Sequence, residues 1–297
     1  MLTVFTPTYN RAHLLPRLYR SLLAQTCHDI EWIIVNDGST DYTESLIRTW
    51  EQQPTPFPIR CFNIRNGGKQ RAINLGVTLA DGEYFFIVDS DDVLLPDAVE
   101  FVYDAFSSLP KENNSFIGIS SFRGDLEGKP LGNIDFRGQN WVDASNLERA
   151  NLGLNRDMAE VFFTEKLKPY PFPVWEGETF TPEEVVWDQM ALDGYRLRWF
   201  YRVTYLCDYQ QEGLSNSSWS LLKNNPMGYA MLFNMKLASA NSIRQKVSLT
   251  LQFLSCCFLA NNSSYIKRCK EPYLAYILSP LGYLLSIRRK RQFKVFL

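Results

Sequence analysis

The chain reads as an α/β protein, a doubly wound and mostly parallel sheet followed by a mainly helical C-terminal subdomain. Three observations predict this. Over residues 1–110, short apolar runs alternate with helical stretches, as strands joined by helical crossovers do. Residues 32–36 (WIIVN) and 84–89 (YFFIVD) are apolar almost throughout, as strands covered on both faces should be. Beyond Ser215 the strand-like runs give way to helical ones.

In order, residues 2–6 form a strand, and 12–25 a helix with Leu14, Leu15, Leu18 and Leu22 at helical spacing. After the strand at 32–36, Thr40 is placed to cap a helix over 42–51. A short strand at 60–63, a helix at 69–79 and the strand at 84–89 follow. Pro96 then opens a helix over 97–109. From about 115 the character changes. Residues 116–122 read as a strand, 124–132 as a hairpin turn, 145–150 and 157–168 as helices, and 169–173 as a proline break. A helix at 183–192 ends near Gly194, and strands at 196–200 and 204–209 follow.

Composition narrows the chemistry. With 297 residues, 45% hydrophobic and 21% charged, the chain can bury one substantial core and an appended subdomain. A net charge of −1 creates no field to recruit nucleic acid, so no nucleic-acid partner is expected. The only histidines are His13 and His28, beside the first helix, so acid–base work falls to carboxylates. The six cysteines form no CxxC pair, which argues against zinc. Thr3 already begins an apolar strand, with no secretory leader ahead of it, and free thiols in a reducing cytoplasm are expected. The 14% aromatic content fits either core packing or sugar-stacking platforms.

Open parallel sheets bind ligands outside the carboxyl ends of their strands. Three polar segments stand there: Thr6-Pro-Thr-Tyr-Asn10, Asn36-Asp-Gly-Ser-Thr40 and Asp89-Ser-Asp-Asp92. Asp37 together with Asp89, Asp91 and Asp92 gathers negative charge in one crevice, which is costly unless a cation occupies it. Oxygen ligands select a hard ion, Mg²⁺ or Mn²⁺. Asp91 fits as the direct ligand, with Asp89 on the same side of an extended DxD; the bland alternative is a pair of turn aspartates before Pro96. Asn66-Gly-Gly-Lys69 precedes a helix and matches neither the P-loop nor the dinucleotide fingerprint, so a tight turn explains it better than a phosphate cradle.

Taken in order, TPTYNR (6–11), VNDGSTD (35–41), NGGKQRAINLG (66–76), ADGEYFFIVDSDD (80–92) and PEEVVW (182–187) resemble glycosyltransferase family 2. The resemblance covers about residues 1–215. It implies a GT-A catalytic domain over 1–215, with a donor half at about 1–110 and an acceptor half at about 111–215, and a helical tail over 216–297. It also implies an inverting hexosyltransferase of polysaccharide or glycolipid synthesis. The donor would be a nucleotide sugar, UDP-linked by family habit, and the acceptor a glycan or lipid-linked glycan. By the same resemblance, Pro7, Tyr9 and Asp37 line the donor-base pocket and Lys69 and Asn74 the donor pocket. Asp89 faces the ribose, Asp91 the metal, and Asp92 supports both. The general base falls at Glu183 within Pro182-Glu-Glu184, where many members carry Asp; Glu184 and Glu178 are the alternatives. Asp157 and Glu160 fall on the acceptor side.

Two rival readings remain open on sequence. A nucleotidyltransferase would need a glycine-rich N-terminal loop, which residues 3–11 lack. A non-catalytic nucleotide-sugar-binding protein would keep the aspartates for binding alone. In the tail, residues 249–260 and 273–287 are apolar but short of the roughly 20 residues that a spanning helix needs, and Pro280 interrupts the second. Arg288-Arg-Lys-Arg291 and Lys294 follow, so the tail suits either peripheral docking on an anionic membrane surface or a helical cap with a solvated basic end.

Overall fold

A computed structural model of the chain describes residues 1–131, 138–154, 156–207 and 218–296. The expected hairpin end at Gly132, the strand end at Tyr209 and the domain boundary at 215–216 lie outside the described residues. By its contacts the chain divides into two compact units, Met1–Pro171 with Met190–Gln210, and Phe172–Gln189 with Gln211–Leu297.

The first unit begins with β1 (Leu2–Thr8), α1 (Leu15–Leu23), β2 (Ile30–Asn36), α2 (Thr43–Glu51), β3 (Ile59–Asn63), α3 (Lys69–Leu79) and β4 (Tyr84–Ile87). These four strands are parallel in the order β3-β2-β1-β4, as the strand–helix alternation requires. Every residue of β2 is buried, which explains its lack of apolar–polar alternation. Trp32 stacks with Trp50 and Tyr19, at centroid distances of 5.7 and 5.9 Å, so much of the aromatic content is core. α3 lies close on β1 because Gly76 has no side chain: a Cβ there would stand 2.2 Å from the Phe5 ring. Thr40 does not cap α2. The N-cap position is Tyr42, and the Thr40 N–H donates to Asn10 Oδ1 at 2.7 Å.

The chain continues through β5 (Val93–Leu94), α4 (Ala98–Ser107), β6 (Phe116–Gly124), β7 (Trp141–Ala144), β8 (Met158–Phe163), α5 (Thr164–Leu167), α6 (Glu184–Leu192) and β9 (Arg196–Leu206). The sheet extends as β4-β8-β6-β9-β5, with β7 paired to β9. The helix expected over 157–168 is instead mostly β8, antiparallel to both β4 and β6. Met158, Ala159, Val161 and Phe162 are buried, and a short continuous apolar run does not distinguish strand from helix by periodicity. The helix expected at 145–150 is only a 3-10 turn, Arg149–Leu152. The two strands expected after Gly194 are one. β9 shifts register against β6, and its exposed Tyr201 and Arg202 mimic a turn in sequence.

The second unit gathers α7 (Ser218–Asn224), α8 (Pro226–Leu237), α9 (Ile243–Leu259) and α10 (Pro272–Phe296) around Met227, Ala230, Phe253, Leu254, Cys256 and Cys257. Ser242 and Gln245 close a capping box at the start of α9. Pro280 does not interrupt the tail; α10 runs through it for 25 residues. Pro280 and Tyr276 are both exposed, where water can replace the hydrogen bond that proline removes. Among the described residues no helix is long and apolar enough to cross a membrane.

Candidate active site at the carboxyl ends of the parallel strands

β1 and β2 end side by side, with Thr8 opposite Asn36, and the loops that follow are tied together. Asn10 adopts φ 53°, its N–H donates to Ser39 Oγ at 2.8 Å, and its side chain accepts from Thr40. This loop holds out Tyr9, a residue 47% exposed, while Pro7 stays within β1. Asp37, at the end of β2, is buried. Its carboxylate accepts the N–H groups of Gly67 and Gly68, both at 2.8 Å, and its carbonyl accepts from Asn66 Nδ2 at 2.8 Å. The Asn66–Lys69 segment is therefore the tight turn expected of it, and those two amides are committed to Asp37 rather than to a phosphate. Burial pushes the Asp37 carboxyl above its usual range, although both amides and Arg71 pull it down.

Lys69 opens α3, and Asn74 lies one turn further along the same helix, half-buried. Lys69 Nζ reaches Asp89 Oδ1 at 2.7 Å. Residues 89–92 do not form the extended DxD that the sequence suggests. They turn, and the Asp92 N–H donates to the Asp89 carbonyl at 3.2 Å. Burial works against the charge on Asp89, but Lys69 and Arg123 outweigh it and hold its carboxyl below the ordinary range. Asp91 and Asp92 fare differently. Asp91 is raised by burial and by the charge of Asp89. Asp92 is pushed up to about 7 by burial and then by Asp89, against the pull of Arg123 and Tyr205. Lys69 and Arg123 thus serve Asp89 first, and the pull of Arg11 and Lys69 on Asp91, like that of Arg123 on Asp92, does not offset burial and the charge of Asp89.

The composition of this corner was only half legible in sequence. Arg123, near the end of β6, lies 3.6 Å from Asp89 Oδ2 and 4.0 Å from Asp92 Oδ2, with its guanidinium 4.4 Å from the centre of the Tyr205 ring. The buried Tyr205 hydroxyl accepts the Asp89 N–H at 2.9 Å and bonds to Asp92. Cys207 donates to Asp92 Oδ2 at 3.7 Å. The one available signal was an arginine inside the otherwise apolar and small run FIGISSFRG. On β8, Val161 lies opposite Phe86, so Glu160 stands towards the carboxyl end of β4. Its carboxylate is 3.6 Å from Arg149 and adds to the negative field around Arg123. Asp157, just before β8, is exposed.

The remaining sequence candidates belong to the second unit. Val186 and Trp187 donate their N–H groups to the Glu183 carbonyl at 2.9 and 3.2 Å, so Glu183 sits in the opening turn of α6, half-buried, directly after Pro182. The helix dipole there favours an ionised carboxylate. Glu184 points to Lys236 of α8 at 2.9 Å. Glu178 is buried and caps α8, accepting the N–H groups of Met227 and Gly228 at 2.7 and 2.9 Å. Both alternatives to Glu183 therefore have structural work within this unit.

Among the described residues, no three His, Cys, Asp or Glu side chains are grouped to hold a metal. Mg²⁺ and Mn²⁺ need no such cage, since one or two carboxylates complemented by substrate phosphates suffice.

Among curated relatives, the chondroitin synthase of Pasteurella multocida is 39% identical over 107 residues, which are 36% of this chain and 11% of that protein. Glycosyltransferase GlyG of Streptococcus pneumoniae is 36% identical over 104 residues, 35% of this chain and 34% of its own. The matched stretch thus spans between about a tenth and a third of these relatives. Among solved structures, S. aureus TarS 1–349 in complex with UDP-GlcNAc superposes with a TM-score of 0.63 at 15% identity, covering 98% of this chain and 91% of that one. The mannosyltransferase of Pyrobaculum calidifontis in complex with GDP-Man and Mn²⁺ gives 0.57 at 16% identity, covering 96% and 80%. These likenesses establish a shared GT-A fold. Residues 3–161 match the family model described as glycosyl transferase family 2, and the chain belongs to that family.

Proposed function

We propose that the protein is an inverting glycosyltransferase that moves a sugar from a nucleoside-diphosphate sugar, UDP-linked, to a hydroxyl of a glycan or lipid-linked glycan. One observation carries the reading. At the carboxyl ends of β1, β2 and β4, Asp89 engages Lys69 and Arg123, and Asp91 is left raised by burial and by its neighbour's charge despite the pull of Arg11 and Lys69. A site with that surplus suits Mg²⁺ or Mn²⁺ held by Asp91 with Asp89 beside it, and its hard oxygen donors match either ion. Such a cation would supply Lewis-acid stabilisation to the departing diphosphate.

The chain's own residues divide the rest of the work. Tyr9 offers an exposed ring to the nucleobase, and Pro7 and Asp37 define the base pocket, with Asp37 also holding the Gly67-Gly68 turn in shape. Lys69, Asn74, Asp89 and Asp92 line the donor side. Glu183 takes the acceptor proton as the acceptor oxygen bonds to the anomeric carbon and the bond to the diphosphate oxygen breaks. In-line displacement inverts that carbon. Asp157, Glu160 and Glu184 belong to the acceptor side. In this reading residues 1–110 are the donor half, 111–215 the acceptor half and 216–297 a helical tail. The UDP-GlcNAc and GDP-Man of the two solved relatives support a nucleotide-sugar donor, and the Mn²⁺ of the second supports a divalent ion. All six cysteines are free thiols, which suits a cytoplasmic setting.

A thermal-shift screen of nucleotide sugars with Mn²⁺ tests the reading, because a ligand bound only to the folded state raises its melting temperature. A UDP-sugar is expected to stabilise the wild type and to need the cation. No shift with any nucleotide sugar, together with neither transfer nor donor hydrolysis, overturns it.

A further inference from the structure

α10 is turned inside out for a helix on a folded domain. Tyr273, Tyr276, Ile277, Leu281, Tyr283 and Leu284 are all more than half exposed, with Tyr276 at 85% and Ile277 at 69%. The face turned to α9 carries mostly small and polar residues: Ala275, Gly282, Ser286 and Arg289 are buried, and of the large apolar side chains Leu278 packs partly against the core and Phe293 is buried near the end of the helix. Surface helices ordinarily bury their apolar stripe and expose the polar one.

This orientation is locked. A Cβ at Gly282 would stand 2.5 Å from the Leu254 Cβ, so only glycine allows the approach of α9 and α10. Two turns on, the Arg289 guanidinium donates to Ser255 Oγ at 3.2 Å and to Gln252. Rotating α10 to hide Ile277 and Leu284 would strip Arg289 of these partners and drive large side chains into the Gly282 contact. Tyr276, Ile277, Pro280 and Tyr283 form, with Phe258 of α9, one open apolar groove.

Charge identifies what covers this face. Arg288, Lys290, Arg291 and Lys294 are exposed at its C-terminal end, and residues 272–297 contain no Asp or Glu. Three exposed tyrosines lie among the aliphatic residues, the amphipathic type that favours the headgroup boundary. The helix does not qualify as a membrane span. Apolar side chains flanked by unopposed basic ones are the pattern of a helix lying in the plane of an anionic bilayer.

We propose that the outer face of α10, with Ile277 and Leu284 at its centre and Arg288, Lys290 and Arg291 at its end, docks the protein on an anionic lipid surface. Docking is independent of the transfer chemistry, because it involves neither donor nor cation, so it stands or falls separately from the function proposed above.

Flotation of the full chain with vesicles of mixed phosphatidylglycerol and phosphatidylcholine, and with phosphatidylcholine alone, tests this. The wild type is expected to float with the anionic vesicles, and less as salt is raised. The double variant Ile277→Glu, Leu284→Glu should stay at the bottom with an unchanged circular-dichroism melting curve, since both sites are already in water. Each basic residue near an anionic surface strengthens binding roughly fivefold. The triple variant Arg288→Gln, Lys290→Gln, Arg291→Gln should therefore bind roughly a hundredfold more weakly. Failure of the wild type to float, or equal flotation of all three proteins, overturns the proposal. So does a wild-type dimer by sedimentation that the Glu double variant converts to monomer, because a second copy would then cover the face.

Discussion

The two ends of the parallel sheet treat buried carboxylates in opposite ways. At the amino end Glu31, early in β2, accepts from Thr3 Oγ1 at 2.6 Å and from the N–H groups of Asp81 and Gly82 at 2.7 and 3.1 Å, and pairs with Arg60 at 2.8 Å. One carboxylate meets four donors, and the arrangement is closed. At the carboxyl end Lys69 and Arg123 serve Asp89 first, and Asp91, with Arg11 and Lys69 acting on it, is still raised by burial and by the charge of Asp89. Both ends bury acid, so burial alone does not mark a site. What separates them is whether the protein itself supplies the countercharge. A saturated carboxylate holds strands together; the other cluster stands at the strand ends where parallel sheets bind ligands, and on the function proposed above a cation would offset its charge.

Exchanging a residue at each end is the strongest way to break that contrast. Asp91→Ala is expected to cut kcat/KM for sugar transfer about a thousandfold, the usual scale for removing electrostatic support from a developing charge. The same change relieves repulsion with Asp89, so denaturant unfolding should show stability equal to or above that of the wild type. Glu31→Ala should do the reverse. It leaves the Asp81 amide without its acceptor and takes from Arg60 one of its two carboxylates, and costs about 1–3 kcal/mol of stability, while the folded fraction keeps its turnover. If Glu31→Ala lost turnover at full stability, the amino end would be part of the site and the contrast would fail.

Glu183→Gln comes next. Loss of a general base lowers the rate by about a hundredfold or more, and the donor, which does not use that proton, should bind unchanged. Turnover and calorimetric donor affinity, measured on one preparation, separate the two roles; normal transfer would remove Glu183 as the base. Arg123→Ala tests the boundary between the two kinds of carboxylate, because Arg123 braces the site as Arg60 braces Glu31. Its removal leaves Asp89 with Lys69 alone and is expected to cost about 2 kcal/mol, read from the denaturant midpoint. Added Mn²⁺ should recover part of that loss by supplying the missing positive charge.

How much of this was legible in the chain follows from distance along it. β1, β2, α3 and β4 are local patterns, and their polar ends at Asp37, Asp89 and Asp91 follow directly once the sheet is recognised as parallel. Arg123 and Tyr205 enter from β6 and β9, and only strand pairing brings them to Asp89; no spacing rule anticipates a contact across 116 residues. β8 was hidden because a strand buried on both faces loses its alternation. Glu178 is a helix cap supplied from a distant loop rather than from the residue before α8, so capping rules that look one to three residues back miss it. In α10 the composition was legible and the orientation was not, since Gly282 and Arg289 decide which face turns outward.

The smallest expected effect concerns Asp37, a carboxylate at the carboxyl end with its hydrogen bonds largely met. Two amides hold its oxygens, yet burial still leaves its carboxyl above the usual value. A carboxyl whose folded pKa exceeds its unfolded one binds its proton more tightly in the native state. Its contribution to stability is then complete below the unfolded pKa, about 3.9, and is lost as pH rises through the folded value. Asp37→Asn does not titrate, so the difference in stability between wild type and variant should drift against the wild type as pH rises from about 4. Thermal melts of both proteins across that range measure the drift directly. A drift in the opposite sense would mean that the two amides and Arg71 outweigh burial, and would place Asp37 with the saturated carboxylates of the amino end.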